Sequence, residues 1–230
     1  MILLNDTNSE PNPYVRFIIM YIFIALALFL PAGTIFWLQG WIYILIMITC
    51  SASFITYLTK KDPELLKARA KTKTTESWDK KLGIIGTPFF ILMYILPGFD
   101  AVRFQWSNLP LYISVIGFIG MILAIILFFL VSRENTYLSR VVEIQEERGH
   151  KVITTGPYRI VRHPMYSAVI VLYISHCIAL GSLFSLIPCA IIIITIILRT
   201  IREDKMLHEQ LEGYKEYAQK TRYKLIPGIW

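Results

Sequence analysis

The chain has 230 residues, of which 55% are hydrophobic and 17% charged, with a mean hydropathy of +0.55 and a net charge of +7. A water-soluble domain carries about 25% charged residues spread along its length. Here the charges gather between long apolar stretches, which excludes a soluble globular domain and points to membrane spans. The Lys and Arg residues flank those stretches, so the basic balance reads as the positive-inside rule and not as a nucleic-acid surface.

The polar opening MILLNDTNSEPNP lacks the basic region of a signal peptide, so the apolar stretch behind it is kept as a span. That stretch, Tyr14 to Trp37, is expected to kink near one end at Pro31 and Gly33. A second span is expected from Trp41 to Leu58, a third from Gly83 to Pro97 around Pro88, and a fourth from Leu111 to Val131. The last apolar region, Tyr166 to Leu198, is too long for one span and is interrupted by Gly181-Ser182 and Pro188. It reads as a helical hairpin turning near Gly181. Backbone groups in lipid must pair within a segment, and no period-two alternation suggests a barrel. The expected fold is therefore all-α: a polytopic membrane protein of about six transmembrane helices, with a cytoplasmic cofactor-binding segment and a C-terminal helix.

Two regions divide the chain. Residues 1–132 hold the first spans and the basic loop 59–82; residues 133–230 hold the hairpin 165–199 and the C-terminal helix. With both ends cytoplasmic, the basic loop, the 133–162 segment and the 199–224 tail all lie inside. Pro63 to Arg69 reads either as a short amphipathic surface helix or as a solvated connector. Cys50, Cys177 and Cys189 have no metal-ligand spacing and read as small apolar residues; no metal is expected.

Folding back of the last apolar region sets Arg162, His163 and Tyr166 beside Arg199 and Glu203. Arg199 and Glu203 are four residues apart and share a helix face, while Arg202 and Asp204 point elsewhere. Singly, these residues read as interfacial anchors, a helix start at Pro164 or a surface ion pair. Together with the Gly156-Pro157 turn they read as a site. His176 lies mid-span, a functional candidate by position, though an imidazole bonded to a neighbouring helix is the preferred reading.

Gly156-Pro157-Tyr158, Arg162-His163-Pro164-Met165-Tyr166, then Arg199 and Glu203-Asp204, resemble the isoprenylcysteine carboxyl methyltransferase family, its prokaryotic members in particular. The related phospholipid methyltransferases carry a similar signature. Pro63-Glu64-Leu65-Leu66, Trp78-Asp79-Lys80, Gly98-Phe99-Asp100 and Asn135-x-Tyr137 extend the likeness upstream. The resemblance implies S-adenosylmethionine as methyl donor. It implies a cofactor site of His150, Lys151, Val152, Ile153, Tyr158, His163, Pro164, Met165, Tyr166 and Glu203. It further implies Arg199 as the substrate-holding residue, and Arg199 with Glu203 as the catalytic pair. Glu143 stands where eukaryotic members have an amide, Ala168 where glycine is common, and Asp204 where a second glutamate is usual.

The implied acceptor is an isoprenoid or lipid-like molecule entering from the bilayer, with carboxyl O-methylation at the inner face of a prokaryotic cell membrane. The alternatives are an amine or phospholipid N-methyltransferase and an NADPH-dependent membrane reductase. A small transporter or scaffold is the non-enzymatic alternative, without the paired broken helices of transporters.

Overall fold

The computed structural model describes residues 13–71 and 76–230, and every regular element among them is a helix. The polar opening of the chain, and Lys73 in the basic loop, lie outside the described residues. Helix α1 (Pro13–Ala32) is followed by α2 (Leu38–Lys61), the short α3 (Pro63–Ala70) and α4 (Ser77–Pro97). One π-helical stretch, Gly98–Arg103, continues α4, and α5 (Leu111–Glu134) follows. After an irregular segment come α6 (Pro164–Ala179), α7 (Leu186–Gln210) and α8 (Tyr214–Lys220).

Helices α1, α2, α4 with its extension, and α5 are long and apolar enough to cross a membrane. Their outward faces are rich in exposed Ile, Leu and Phe, among them Ile19, Phe23, Leu45, Ile84, Ile119 and Leu123, as lipid contact requires. The polytopic helical architecture read from the sequence is borne out, with different limits. α1 stops at Ala32, five residues before the expected end. α4 starts at Ser77, six residues before the expected start, and runs through Pro88. Pro88 leaves the Ile84 carbonyl without its helical donor, and the Thr87 hydroxyl donates to the adjacent Gly83 carbonyl (2.7 Å).

The last apolar region folds as a hairpin turning at Gly181, which takes φ +75°, a left-handed conformation open to glycine. Its arms are unequal. α6 has 16 residues and so spans about 24 Å. α7 has 25 and carries on past the apolar Leu198 to Gln210, so the site residues Arg199 and Glu203 ride on an unbroken helix.

Small residues let α6 lie close against α5. A Cβ at Gly117 would come within 2.3 Å of the Ala179 backbone nitrogen, and one at Gly120 within 2.5 Å of the Ser175 hydroxyl. Close backbone approach of this kind drives helix association in lipid. Gly117→Ala is therefore expected to cost more than Gly120→Ala, because the backbone at Ala179 cannot yield whereas the Ser175 side chain can rotate. Overpacking costs about 1–3 kcal/mol; thermal unfolding of both variants in detergent gives the ranking.

The two ends of the bundle differ. At one end Arg16 of α1 donates to the Ala70 carbonyl, and Arg199 of α7 meets Asp79 of α4. This end collects the basic segments. At the other end Asp100 in the π-helix is fully buried. Its carboxylate accepts bonds from the Ser107 amide and hydroxyl, the Ser182 hydroxyl and the Phe184 amide, at 2.6–3.1 Å. The Gly98-Phe99-Asp100 element thus ties α4 to the hairpin turn, far from the site. His176, 1% exposed, packs edge-on against Tyr43, and its Nε2 lies 3.2 Å from the Met93 carbonyl of α4. The helix-bonding reading of this residue fits.

Candidate active site

The segment from Asn135 to His163 is irregular, and polar side chains organise it. The Asn135 side-chain oxygen accepts from the Tyr137 amide (2.9 Å), an Asx turn. Its amide group donates to the Tyr158 hydroxyl (2.7 Å). Gln145 donates to the Tyr137 carbonyl (2.7 Å). These bonds bring the Tyr137 and His150 rings into a stack with centroids 4.5 Å apart. Burial, and then the charge of Arg148, lower the His150 pKa from its ordinary 6.5, so at neutral pH this ring is an uncharged aromatic face.

Helix α3 holds the segment from outside. Pro63 opens the helix and the Asp62 carboxylate caps it, accepting from the Leu65 amide (2.9 Å). The other Asp62 oxygen accepts from Thr136, Arg69 donates to the Leu138 carbonyl, and Ser139 donates to the Ala68 carbonyl. Leu65 is fully buried. Of the two readings of Pro63 to Arg69, the helix is the one the chain adopts, and it faces protein. Lys71 next to it pairs with Glu143 (2.9 Å) at the rim, an exposed pair worth about 0–1 kcal/mol.

A second cluster is centred on Asp204. Arg162 grips its carboxylate with two bonds, Nε to Oδ1 at 2.8 Å and Nη2 to Oδ2 at 3.1 Å. His163 Nε2 lies 3.0 Å from Oδ1, and the Tyr214 hydroxyl donates to it at 2.9 Å. Arg162 Nη1 also donates to the Thr221 and Arg222 carbonyls, and the His163 amide to the Lys224 carbonyl. Asp204 points away from the Arg199–Glu203 face, as the helical spacing predicts, and on that other side it is buried and binds the Arg-His corner. α7 is surrounded at this level, so successive residues 203 and 204 both meet protein, on different sides.

The third cluster holds Arg199 and Glu203. Arg199 does not pair with Glu203. Its Nε lies 3.1 Å from Asp79 Oδ1, its Nη2 3.3 Å from Asp79 Oδ2, and Nη2 donates to the Arg140 carbonyl at 2.7 Å. Glu203 instead accepts from the Tyr166 hydroxyl (2.5 Å), and the Arg199 guanidinium sits 5.8 Å from the centre of the Tyr166 ring. Arg202, as expected, faces away and lies over Trp78.

The three clusters line one cleft enclosing about 770 Å³, its open mouth included. His150, Lys151, Val152, Ile153, Tyr158, His163, Met165, Tyr166, Arg199 and Glu203 all border it. Pro164 does not: it opens α6 and aims its neighbours. Arg162, placed beside these residues by the hairpin, lines the cleft too; sequence reasoning missed as lining residues Asn135, Tyr137, Glu143 and Tyr214, and it missed Asp79 behind Arg199. The signal for Asp79 was present, an acid in the first turn of a helix whose neighbours Lys80 and Lys81 are basic.

A helical membrane protein whose hairpin ends close a polar and aromatic cleft at the bundle's basic end is the class defined so far. A model of the phospholipid methyltransferase family matches residues 114–213, the stretch from α5 through α7 that builds the cleft. The chain is 30% identical over 127 residues to protein-S-isoprenylcysteine O-methyltransferase B of Arabidopsis thaliana, covering 54% of this chain and 61% of that protein. It is 28% identical over 113 residues to a probable protein-S-isoprenylcysteine O-methyltransferase of Oryza sativa subsp. indica, covering 48% and 59%. The chain thus spans about three-fifths of the length of these curated relatives. The resemblance carried by the Arg-His-Pro-x-Tyr corner and the acidic pair is borne out.

Proposed function

We propose that the protein is a membrane methyltransferase that uses S-adenosylmethionine to methylate the carboxylate of an isoprenoid or other lipophilic acceptor. The observation that carries this reading is convergence. The 150–153 segment, Tyr158, the His163–Tyr166 corner and the Arg199–Glu203 helix meet in one cleft at the end of the bundle where the basic residues gather. By the positive-inside rule that end faces the cytosol, where the soluble donor is found; a lipophilic acceptor reaches the same cleft sideways from the bilayer.

The lining suits the donor's three parts. The Glu203 carboxylate and the Tyr166 ring suit a cation. The stacked Tyr137 and His150 rings offer a flat face for a purine, and Val152, Ile153, Met165 and Leu207 supply an apolar wall. His163 places Nε2 on Asp204, which fixes the ring at the corner, and leaves Nδ1 on the side of Glu203 and the cleft. When bound, the donor supplies an electrophilic methyl group. The chain's task is then to align the acceptor and exclude water, since a carboxylate is already ionised and needs no base. Arg199 holds the acceptor's charge. An amine acceptor is the second reading, favoured by the phospholipid family match; Glu203 is then the group placed to receive the amine proton.

Purified protein in lipid nanodiscs, given methyl-labelled S-adenosylmethionine and lipid extract, is expected to yield a labelled lipophilic product that releases methanol in base. A base-stable label identifies the amine reading, and binding of NADPH in place of S-adenosylmethionine overturns both. Glu203→Gln is expected to weaken donor binding about 10- to 150-fold, the 1.5–3 kcal/mol of a hydrogen bond to a charged group, measured by calorimetry with S-adenosylhomocysteine and S-adenosylmethionine.

A further inference from the structure

The guanidinium of Arg199 has five N–H donors in a planar fork, and the chain occupies one edge of that fork. Nη2 donates to Asp79 Oδ2 at 3.3 Å and to the Arg140 carbonyl at 2.7 Å, while the buried Nε lies 3.1 Å from Asp79 Oδ1 in an ion-pair contact that lacks hydrogen-bond geometry. Nη1 makes no hydrogen bond among the described residues. Asp79 belongs to α4, is 8% exposed, and comes from outside the segment that the family model matches. Arg199 therefore meets its acceptor with one nitrogen and with its charge partly balanced, where an unpaired arginine would offer a full bidentate clamp.

We infer that Asp79 is a specificity-determining and positioning residue of this site: it weakens the hold of Arg199 on the acceptor carboxylate so that the carboxylate stays reactive. The inference rests on the proposed carboxyl methylation. In that reaction a carboxylate oxygen forms the new bond to the methyl carbon while the carbon–sulfur bond breaks and its electron pair stays on sulfur. An anion and a sulfonium cation become a neutral ester and a neutral thioether, with no proton gained or lost. Negative charge on the acceptor is thus greater in the ground state than in the transition state. A strong cation beside it stabilises the ground state more and raises the barrier, because only differential stabilisation accelerates a reaction. A carboxylate already resting on Arg199 reduces that penalty while keeping the guanidinium in place.

A purely structural role for Asp79 predicts the opposite binding effect, since a displaced Arg199 would hold the acceptor less well. The test uses N-acetyl-S-farnesylcysteine as acceptor and full-length protein in nanodiscs. Asp79→Asn keeps a hydrogen-bond acceptor for Nη2 but removes the charge. It is expected to tighten acceptor binding about three- to tenfold, read both as KM and as the equilibrium Kd without methyl donor, and to lower kcat about tenfold. Asp79→Glu is expected to restore both values towards wild type. S-adenosylhomocysteine binding, unchanged in both variants, shows that the cleft is intact. A KM and Kd that rise or stay constant in Asp79→Asn overturn the inference and leave the methyltransferase reading standing. Wild-type protein that binds S-adenosylhomocysteine yet never methylates the acceptor overturns the carboxylate reading, and the inference with it.

Discussion

Arg162→Ala is expected to destabilise the protein by about 3–5 kcal/mol, the usual result of leaving one member of a buried ion pair alone. Arg162 and Asp204 are both within a few per cent of complete burial. Removing the arginine takes away two bonds to Asp204 and the bonds to the Thr221 and Arg222 carbonyls that hold the tail against the corner. Lysine cannot replace the planar fork, so Arg162→Lys should recover little. Asp204→Asn should do less harm, because it leaves the His163 and Tyr214 contacts partly served. Reversible unfolding of the variants in detergent, followed by the near-ultraviolet signal of the tyrosines, measures all three.

The same carboxylate sets an acid limit. Burial alone would raise the Asp204 pKa, but the bonds from His163, Arg162 and Tyr214 outweigh it and hold the group well below its ordinary value of 3.8. A carboxyl with a depressed folded pKa contributes stability fully above the unfolded value and loses it as pH falls towards the folded one. Unfolding by acid should therefore steepen below about pH 3.8 in the wild type, and that extra slope should be missing in Asp204→Asn.

Arg199→Ala is expected to lower kcat/KM by about 10²-fold through weaker binding and alignment of the acceptor carboxylate. S-adenosylhomocysteine affinity should change by less than about threefold if, as proposed, the donor lies against the 150–153 segment and Glu203. Arg199→Lys should recover only part of the activity, because an ammonium cannot contact Asp79, the Arg140 carbonyl and an acceptor in one plane. Equal loss of donor binding and turnover in Arg199→Ala would instead make this residue a wall of the cofactor site. Radiolabel transfer and calorimetry on the same preparation separate the two.

Much of this arrangement was legible from residues. Apolar length gave the spans, and Gly181-Ser182 in the middle of a long apolar region gave the hairpin. The hairpin in turn placed Tyr166 beside Glu203 although 37 positions separate them. What escaped was of two kinds. Asp79 and Arg199 are 120 positions apart on α4 and α7, and nothing local to either says that those two helices pack. Asp204 lies off the Arg199–Glu203 face as helical spacing says, but nothing local to it says that this other side is buried too. α7 leaves the bilayer region between the corner, α8 and the 135–143 segment, so two adjacent residues find partners on opposite sides. Helix limits shifted for a simpler reason: Leu38 and Ser77 continue a hydrogen-bonded turn that composition alone does not mark.

Asp100 has a consequence for how the bundle meets the lipid. Gly181 packs near Ser114, three residues inside the start of α5, so the hairpin turns roughly 4.5 Å short of that helix's end. A reversal at such depth would normally need solvent for its freed amides. Here Asp100 accepts from the Phe184 amide, and the two hydroxyls it orients, Ser107 and Ser182, accept from the Leu183 and Ser185 amides, so protein groups take the place of water at the early reversal of the shortest apolar arm.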